Sequence, residues 1–209
     1  MIPVNILAVR YLANASESLC KGLGVPKGYP SLGMLTTDCD DATYIALDAA
    51  TKASDVKVCY GRSFYAGAGN ASTPNAGEVI GILAGPTPGM VRSGMEAALT
   101  ALESVGFETA GDVPYLAYTV SRTGSFLAKE AGVQEGTALA YLIAPPLESM
   151  YAMDSALKAA DVKLCKLYSP PSETNFGGGL LSGSQSACHA ACAAFAAAVA
   201  EVANRPRGE

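Results

Sequence analysis

The sequence predicts an α+β protein of two similar halves, each a mainly antiparallel sheet with helices on one face. Three observations predict it. Residues 45–59, IALDAATKASDVKVC, return as residues 151–165, YAMDSALKAADVKLC, 106 positions later (151 − 45). Nine of the fifteen aligned pairs are identical: Ala46/Ala152, Asp48/Asp154, Ala50/Ala156, Lys52/Lys158, Ala53/Ala159, Asp55/Asp161, Val56/Val162, Lys57/Lys163 and Cys59/Cys165. Both halves then run through one order of elements: strand, short helix, strand, helix, strand, long loop, strand, helix. Finally, 209 residues suffice for two domains of about 100, a size near which domains cluster. The expected domains are residues 1–109 and 110–209.

In chain order, VNILAVRY (4–11) is apolar, β-branched and reads as the first strand. SLCKGLGV (18–25) is a short helix whose counterpart, FLAKEAGV (126–133), lies 108 positions on and shares its Leu, Lys, Gly and Val. LGMLTT (32–37) is the second strand. The helix at 41–53 carries Ala42, Ile45, Ala46, Ala49, Ala50 and Ala53, the i, i+3, i+4, i+7 stripe of a buried face. Asp38, Asp40 and Asp41 stand at its start, where carboxylates cap free N–H groups and meet the positive end of the helix dipole. Asp48 and Lys52 form an i, i+4 pair in the favourable order. DVKVCY (55–60) and EVIGILAG (78–85) complete the first sheet, and an Ala-rich helix follows. In the second half the strands are VPYLAYTVS (113–121), ALAYLIAP (138–145), DVKLCKLY (161–168) and GLLSG (179–183). ILAG (82–85) and LLSG (180–183), 98 positions apart, both lead into long Ala-rich helices; the changing offset reflects loops of unequal length. Four strands with helices on one face leave the other face of each sheet open.

Composition narrows the function. Half the residues are apolar, only 16% are charged and there is no Trp. Such a surface carries too little charge to be wholly solvated and predicts burial against other chains. The net charge is −5 with no Lys/Arg run, which argues against a nucleic-acid partner. No signal-peptide pattern stands at the N-terminus, and the weakly polar stretch Ala187–Ala200 is too short to span a bilayer and contains His189. The six cysteines lack zinc-site spacing and fall inside predicted elements, so they read as reduced and buried, in an intracellular protein.

No catalytic constellation emerges. His189, the sole histidine, lies between Cys188 and Cys192; only the two cysteines share a helix face, so a structural role is expected. No G-x-S-x-G occurs. AGAGN (66–70) and NFGGGLLSG (175–183) contain neither a Walker Lys-Ser/Thr nor a complete G-x-G-x-x-G, and read as flexible loops. DCDD (38–41) is open to three readings: a helix cap, a site for a cationic ligand, or a metal site. The second half has PLES (146–149) there, with Glu148 its sole acid. The loops Tyr60–Gly77 and Leu167–Gly179 occupy equivalent places and exceed the length of ordinary connections, which marks gating segments or disorder.

LDAATKASDVKV and MDSALKAADVKL resemble the D-x-x-x-K-A-A-x-V helix of bacterial microcompartment shell proteins, and EVIGILAGPTPGMVRSGMEAAL resembles that family's later strand and helix. Two such domains in one chain resemble the tandem-domain members. SLG…DCDDATYIALDAATK, VCYGRSFYAGA, GEVIGILAGPTPG, VSRTGSFL, YLIAPPLE and PPSETNF are similar to the type that serves ethanolamine utilisation, and together cover nearly the whole chain.

The resemblance implies two circularly permuted shell domains in a homotrimer that imitates a hexamer. Such tiles pack with other shell proteins around a metabolic microcompartment in the bacterial cytoplasm, without catalysis, metal or required cofactor. It implies a central pore gated by loops containing Arg62, Phe64, Tyr65, Gly67 and Gly69 in the first half and Ser172, Glu173 and Phe176 in the second. Small acidic channels holding ethanolamine would be lined by Asp40, Asp41, Glu78, Phe107, Thr174 and Asn175, a carboxylate pair with an aromatic wall for a protonated amine. Cobalamin is a second implied ligand. Lys52 and Lys158 match the lysine at the tile edge; each also reads as a last-turn lysine answering the helix dipole. The alternative class is a two-domain binding module for an amine or cobalamin that forms no shell.

Overall fold

A computed structural model describes residues 1–64, 78–170 and 176–207, with only the backbone of Phe64. The element order is β1 (Ile6–Leu12), α1 (Glu17–Gly22), β2 (Ser31–Thr37), α2 (Asp40–Ala53), β3 (Lys57–Phe64), β4 (Glu78–Gly85) and α3 (Pro88–Leu102). There follow β5 (Glu108–Ala110), β6 (Val113–Val120), α4 (Ser125–Ala131), β7 (Ala138–Ala144), α5 (Pro146–Ala159), β8 (Val162–Tyr168), β9 (Gly177–Gly183) and α6 (Gln185–Asn204). The fold class and the order of elements are as expected; β5, a three-residue strand, is additional. One sheet has the order β1-β2-β4-β3 and the other β5-β6-β7-β9-β8, and every pairing is antiparallel.

The chain divides into two compact units. The first comprises Pro3–Val105 and Gly124–Leu127, the second Met1–Ile2, Gly106–Thr123 and Ala128–Glu209. Each unit thus takes a short piece of chain from beyond the simple midpoint.

In the first unit, Gly33, Leu35, Gly81 and Leu83 share one sheet face through the β2–β4 register. A Cβ on Gly33 would meet Val91 and Met95 of α3, and one on Gly81 would meet Leu47 of α2. Both long helices therefore lie on that face. The opposite face is not open. Leu32, Ile82 and Ala84 pack there with Ala15, Leu23, Val25 and Tyr29, so the turns flanking α1 cover part of it. This corrects the expected open face: apolar residues before and after α1 give the short connection enough hydrophobic surface to lie down on the sheet.

The second unit repeats the design. Ala138, Ala140, Leu142 and Leu181 of the sheet bury against Ala152, Met153 and Ala156 of α5 and against Cys188, Ala191, Cys192, Phe195 and Val199 of α6. At 20 residues α6 is longer than the stretch read from sequence, and by length and apolar composition it could cross a membrane. Its buried stripe at i, i+3, i+4, i+7 instead identifies it as a core helix. His189 is exposed on α6.

The run Gly177–Gly179 is not a flexible loop. It opens β9; the other glycine-rich piece, AGAGN (66–70), lies outside the described residues. A Cβ on Gly178 (φ +146°) would be 1.9 Å from the Leu142 carbonyl oxygen, and one on Gly179 would be 2.4 Å from that of Lys166. Glycine is used here because the neighbouring backbones leave no room for a side chain.

Helix starts follow local chemistry. Thr87 caps α3, accepting from Met90 N at 3.3 Å with Pro88 in the first turn, and Ser184 caps α6, accepting from Ala187 N at 3.1 Å. α4 is different, since Gly124 before it has no side chain to offer. A residue of α2 substitutes: Asp48 Oδ2 accepts from Gly124 N at 2.7 Å, and Asp48 Oδ1 from Leu127 N at 2.9 Å. Thr51 Oγ1 accepts from Ser125 N at 3.1 Å, and the rings of Tyr44 and Phe126 stack tilted at 5.9 Å.

Asp48 is fully buried, and Lys52 Nζ lies 3.2 Å from its Oδ2. Removing a buried carboxylate that satisfies two N–H groups and an ammonium costs roughly 3 kcal/mol. Asp48→Ala is therefore expected to lower stability by about that much, in urea unfolding followed by circular dichroism. A loss within the noise of the transition would mean that the Gly124–Leu127 segment is held by other contacts.

Candidate functional site

The acidic stretch 38–41 sits where β2 turns into α2. Thr37 fixes the turn: its Oγ1 accepts from Cys39 N at 3.2 Å and donates to Cys39 O at 3.0 Å, with Thr43 Oγ1 at 2.7 Å. The cap residue of α2 is Cys39, which makes no side-chain cap bond, so the expectation that the aspartates cap this helix is corrected. Asp38 is turned away to Asn5, accepting from its backbone N at 2.8 Å and from Nδ2 at 2.7 Å. Asp40 accepts from a first-turn N–H, that of Asp41, at 2.9 Å.

Asp38 is thus accounted for by structure. Asp40, Asp41 and Glu78 are 4%, 6% and 4% exposed, an unusual burial for three acids of one unit. The Ser63 hydroxyl hydrogen-bonds Asp40. Ser63 pairs with Val79 across β3–β4 and Phe64 with Glu78, so Asp40 reaches the end of the sheet where Glu78 begins β4. Burial, and next the charge of Asp41, push the Asp40 carboxyl well above the usual carboxylate range, against weaker opposition from hydrogen bonds. Burial also raises the Cys39 thiol, with Asp41 adding to it, so this cysteine is an inert neighbour. Among the described residues, no group of three or more His, Cys, Asp or Glu could hold a metal ion.

The other expected site residues are distributed as follows. Arg62 is exposed on β3, and Phe64 ends that strand. Phe107 and Phe176 belong to the second unit, their rings 5.9 Å apart, with Phe107 fully buried. Tyr65, Gly67, Gly69, Ser172, Glu173, Thr174 and Asn175 lie outside the described residues. Lys52 is ion-paired to Asp48, and Lys158 to Asp154 at 2.5 Å. Lys158 and Asp154 are largely exposed, their side chains 75% and 63% accessible. All six cysteines are free; Cys39, Cys188 and Cys192 are buried, whereas Cys20, Cys59 and Cys165 are only half-buried.

Sequence reading missed two roles. The sequence shows Asp48 only as an i, i+4 partner of Lys52, and the available signal is the missing cap at Gly124. Ser63 gave no signal, because nothing in its neighbourhood announces a partner on α2.

Comparison with known proteins accords with this architecture. Residues 31–114 match the BMC domain model; the match opens on the first residue of β2, leaving β1 and α1 before it. The chain is 59% identical to the bacterial microcompartment shell protein EutL of Clostridium perfringens, covering 100% of this chain and 98% of the relative. It is 47% identical to that of Escherichia coli, covering 99% and 96%. The crystal structure of the ethanolamine utilization protein EutL from Leptotrichia buccalis superposes with a TM-score of 0.94 at 58% identity, covering 100% of this chain and 98% of that one. These relatives carry the names of shell proteins, not of enzymes. Two permuted antiparallel units of this kind define a tandem-domain bacterial microcompartment shell protein. The chain belongs to the EutL family within that class.

A carboxyl whose folded pKa is raised binds its proton more tightly folded than unfolded. Stability is then greatest below the unfolded pKa and falls as pH rises through the folded one. Asp40→Asn is expected to flatten that decline, in thermal melts taken at pH steps from 4 to about 8. An unchanged slope would place the proton elsewhere in the acid cluster.

Proposed function

We propose that this chain is a structural tile of the ethanolamine-utilisation microcompartment shell, in the bacterial cytoplasm, and that it works as a homotrimer of six similar domains. The observation that carries this reading is the duplicated unit: both copies fold as complete antiparallel sandwiches, and family membership supports the shell role. Three chains then supply six domains around one axis. The long loops at 60–77 and 167–179, with Arg62, Phe64 and Phe176 at or near their described ends, gate the central opening.

The buried acids Asp40, Asp41 and Glu78 line a small channel that takes a protonated amine, ethanolamine. An ammonium is the ligand this chemistry favours, since it offsets charge that burial otherwise disfavours. Cobalamin is a larger ligand for the central surface. Lys52 and Lys158 serve tile-to-tile packing, alongside their observed pairing with Asp48 and Asp154.

The solution mass by light scattering is expected near three chains. On electron micrographs, Lys52→Gln is expected to lose extended sheets while keeping that mass; a glutamate there would instead set a second carboxylate against Asp48. A trimer that falls apart in Lys52→Gln would move this lysine from the tile edge to the subunit interface.

Ethanolamine binding, followed by calorimetry, is expected to strengthen as pH rises and Asp40 ionises, and to fall at least about ten-fold in Asp40→Asn, the scale of a lost charge-assisted contact. Unchanged binding in Asp40→Asn would remove the proposed channel site. A persistent monomer that binds ethanolamine would favour the two-domain binding module instead.

A further inference from the structure

The repeat allows the seating of one short helix to be compared with its copy. In the second unit α4 is tied to β8: Lys166 Nζ lies 2.6 Å from Glu130 Oε2, and Ala128 on α4 is buried. The counterparts of the ion pair in the first unit are Tyr60 and Gly22, which cannot form one. Five of the six residues of α1 are exposed; the exception is Cys20, the counterpart of Ala128. Cys20 Sγ turns back to the Ala15 carbonyl at 3.9 Å, and Val25 N donates to Cys20 O at 2.9 Å. Cys20 is thus fixed to two residues that pack on Leu32, Ile82 and Ala84. Cys59 packs on the same patch from the strand side. It is the extra residue of a bulge in β3, between Val58 and Tyr60, and its Sγ contacts the Ile82 carbonyl at 3.4 Å. Two free, half-buried thiols therefore converge on one small apolar patch, and the charge of an ionised Cys20 is felt at Cys59.

We propose that Cys20 and Cys59 form a reversible intrachain disulfide that pins α1 to β3, supplying by oxidation the tie that Lys166 and Glu130 supply in the other copy. A peroxide is the oxidant. The Cys20 thiolate attacks one peroxide oxygen and displaces the other as hydroxide, which takes up the proton the thiol gave; a sulfenic acid remains. The Cys59 thiol attacks the sulfenic sulfur, forms the S–S bond and releases a second water. One peroxide and two thiols thus give one disulfide and two waters. Burial pushes the Cys59 thiol up to about 11, so it is slow to meet an oxidant, and Cys20, on an exposed helix, reacts first. A dithiol reverses the bond by exchange. Disulfides of reducing compartments are mostly of this transient kind. The second copy cannot do the same. Cys165 keeps the place of Cys59, but Ala128 stands where its partner would be, and Cys165 Sγ contacts the Ser182 hydroxyl at 3.1 Å. Cys188 lies on the other face of that sheet, with α6.

Peptide mapping after hydrogen peroxide treatment of the full chain is the test. The tryptic peptides of Cys20 and Cys59 are expected to be joined within one chain, with the loss of two hydrogens in mass, and dithiothreitol is expected to release them. Closing a loop of 39 residues (59 − 20) is expected to raise the melting temperature of the oxidised chain by roughly 5–10 °C. Cys20→Ala, which puts the second copy's residue at this place, is expected to keep the circular dichroism spectrum and to abolish both the link and the shift. Oxygen acids on Cys20 and Cys59 without a link, a Cys20 link to a second chain, or a linked chain that melts no higher would each overturn the proposal.

Discussion

The carboxylate of Asp48 is the constraint on which the rest of the chain depends. A fully buried charge is tolerable only when its desolvation is offset by close partners, and here two backbone N–H groups and one ammonium do this. The N–H groups are those that open α4, so one side chain determines where the second repeat's first helix begins. It also explains why the compact units do not end at the repeat boundary. Gly124–Leu127 belongs with residues 3–105 because its backbone is held there. The exchange at the other end is smaller: Met1–Ile2 joins the second unit, with Ile2 N donating to Phe107 O at 2.6 Å.

Much of the architecture was legible because it is written twice. Each strand and long helix had a counterpart at a similar offset, so a weak pattern in one half was reinforced by the other. β5 escaped, as three residues, ETA, are too few to display a period. Gly177–Gly179 were misread because glycine is a poor strand former on its own merits; its use there depends on the backbones of Leu142 and Lys166, which are remote in sequence. The open sheet face was wrong for a related reason. Ala15, Leu23, Val25 and Tyr29 are apolar without periodicity, and nothing local says that they fold back over the sheet.

The acid cluster shows the same limit at the level of a site. Four residues, DCDD, carried three readings, and the outcome splits them residue by residue. Asp38 is spent on Asn5, Cys39 occupies the cap position, and Asp40 turns to Ser63. Local spacing could not separate these roles, because all four residues leave the sheet within one turn of chain and their partners come from β3 and from the stretch before β1. What remains, Asp40 and Asp41 beside buried Glu78, is poorly explained by capping. Buried acids of one sign either keep a proton or recruit a cation, and both outcomes make the site sensitive to what enters it.

Asp48 and Asp154 began as the same residue in the same motif, and their divergence explains what a fused pair permits. In an assembly of six identical domains every joint must be alike. Two domains on one chain leave the copies free to diverge: Asp48 is fully buried against Gly124–Leu127, whereas Asp154 is exposed in its pair with Lys158. The Asp48 contact joins two segments of one chain, so its burial belongs to folding. The Asp154–Lys158 pair on α5 is exposed and contributes little to folding by itself. The same motif therefore serves folding in one copy and leaves a solvated face in the other.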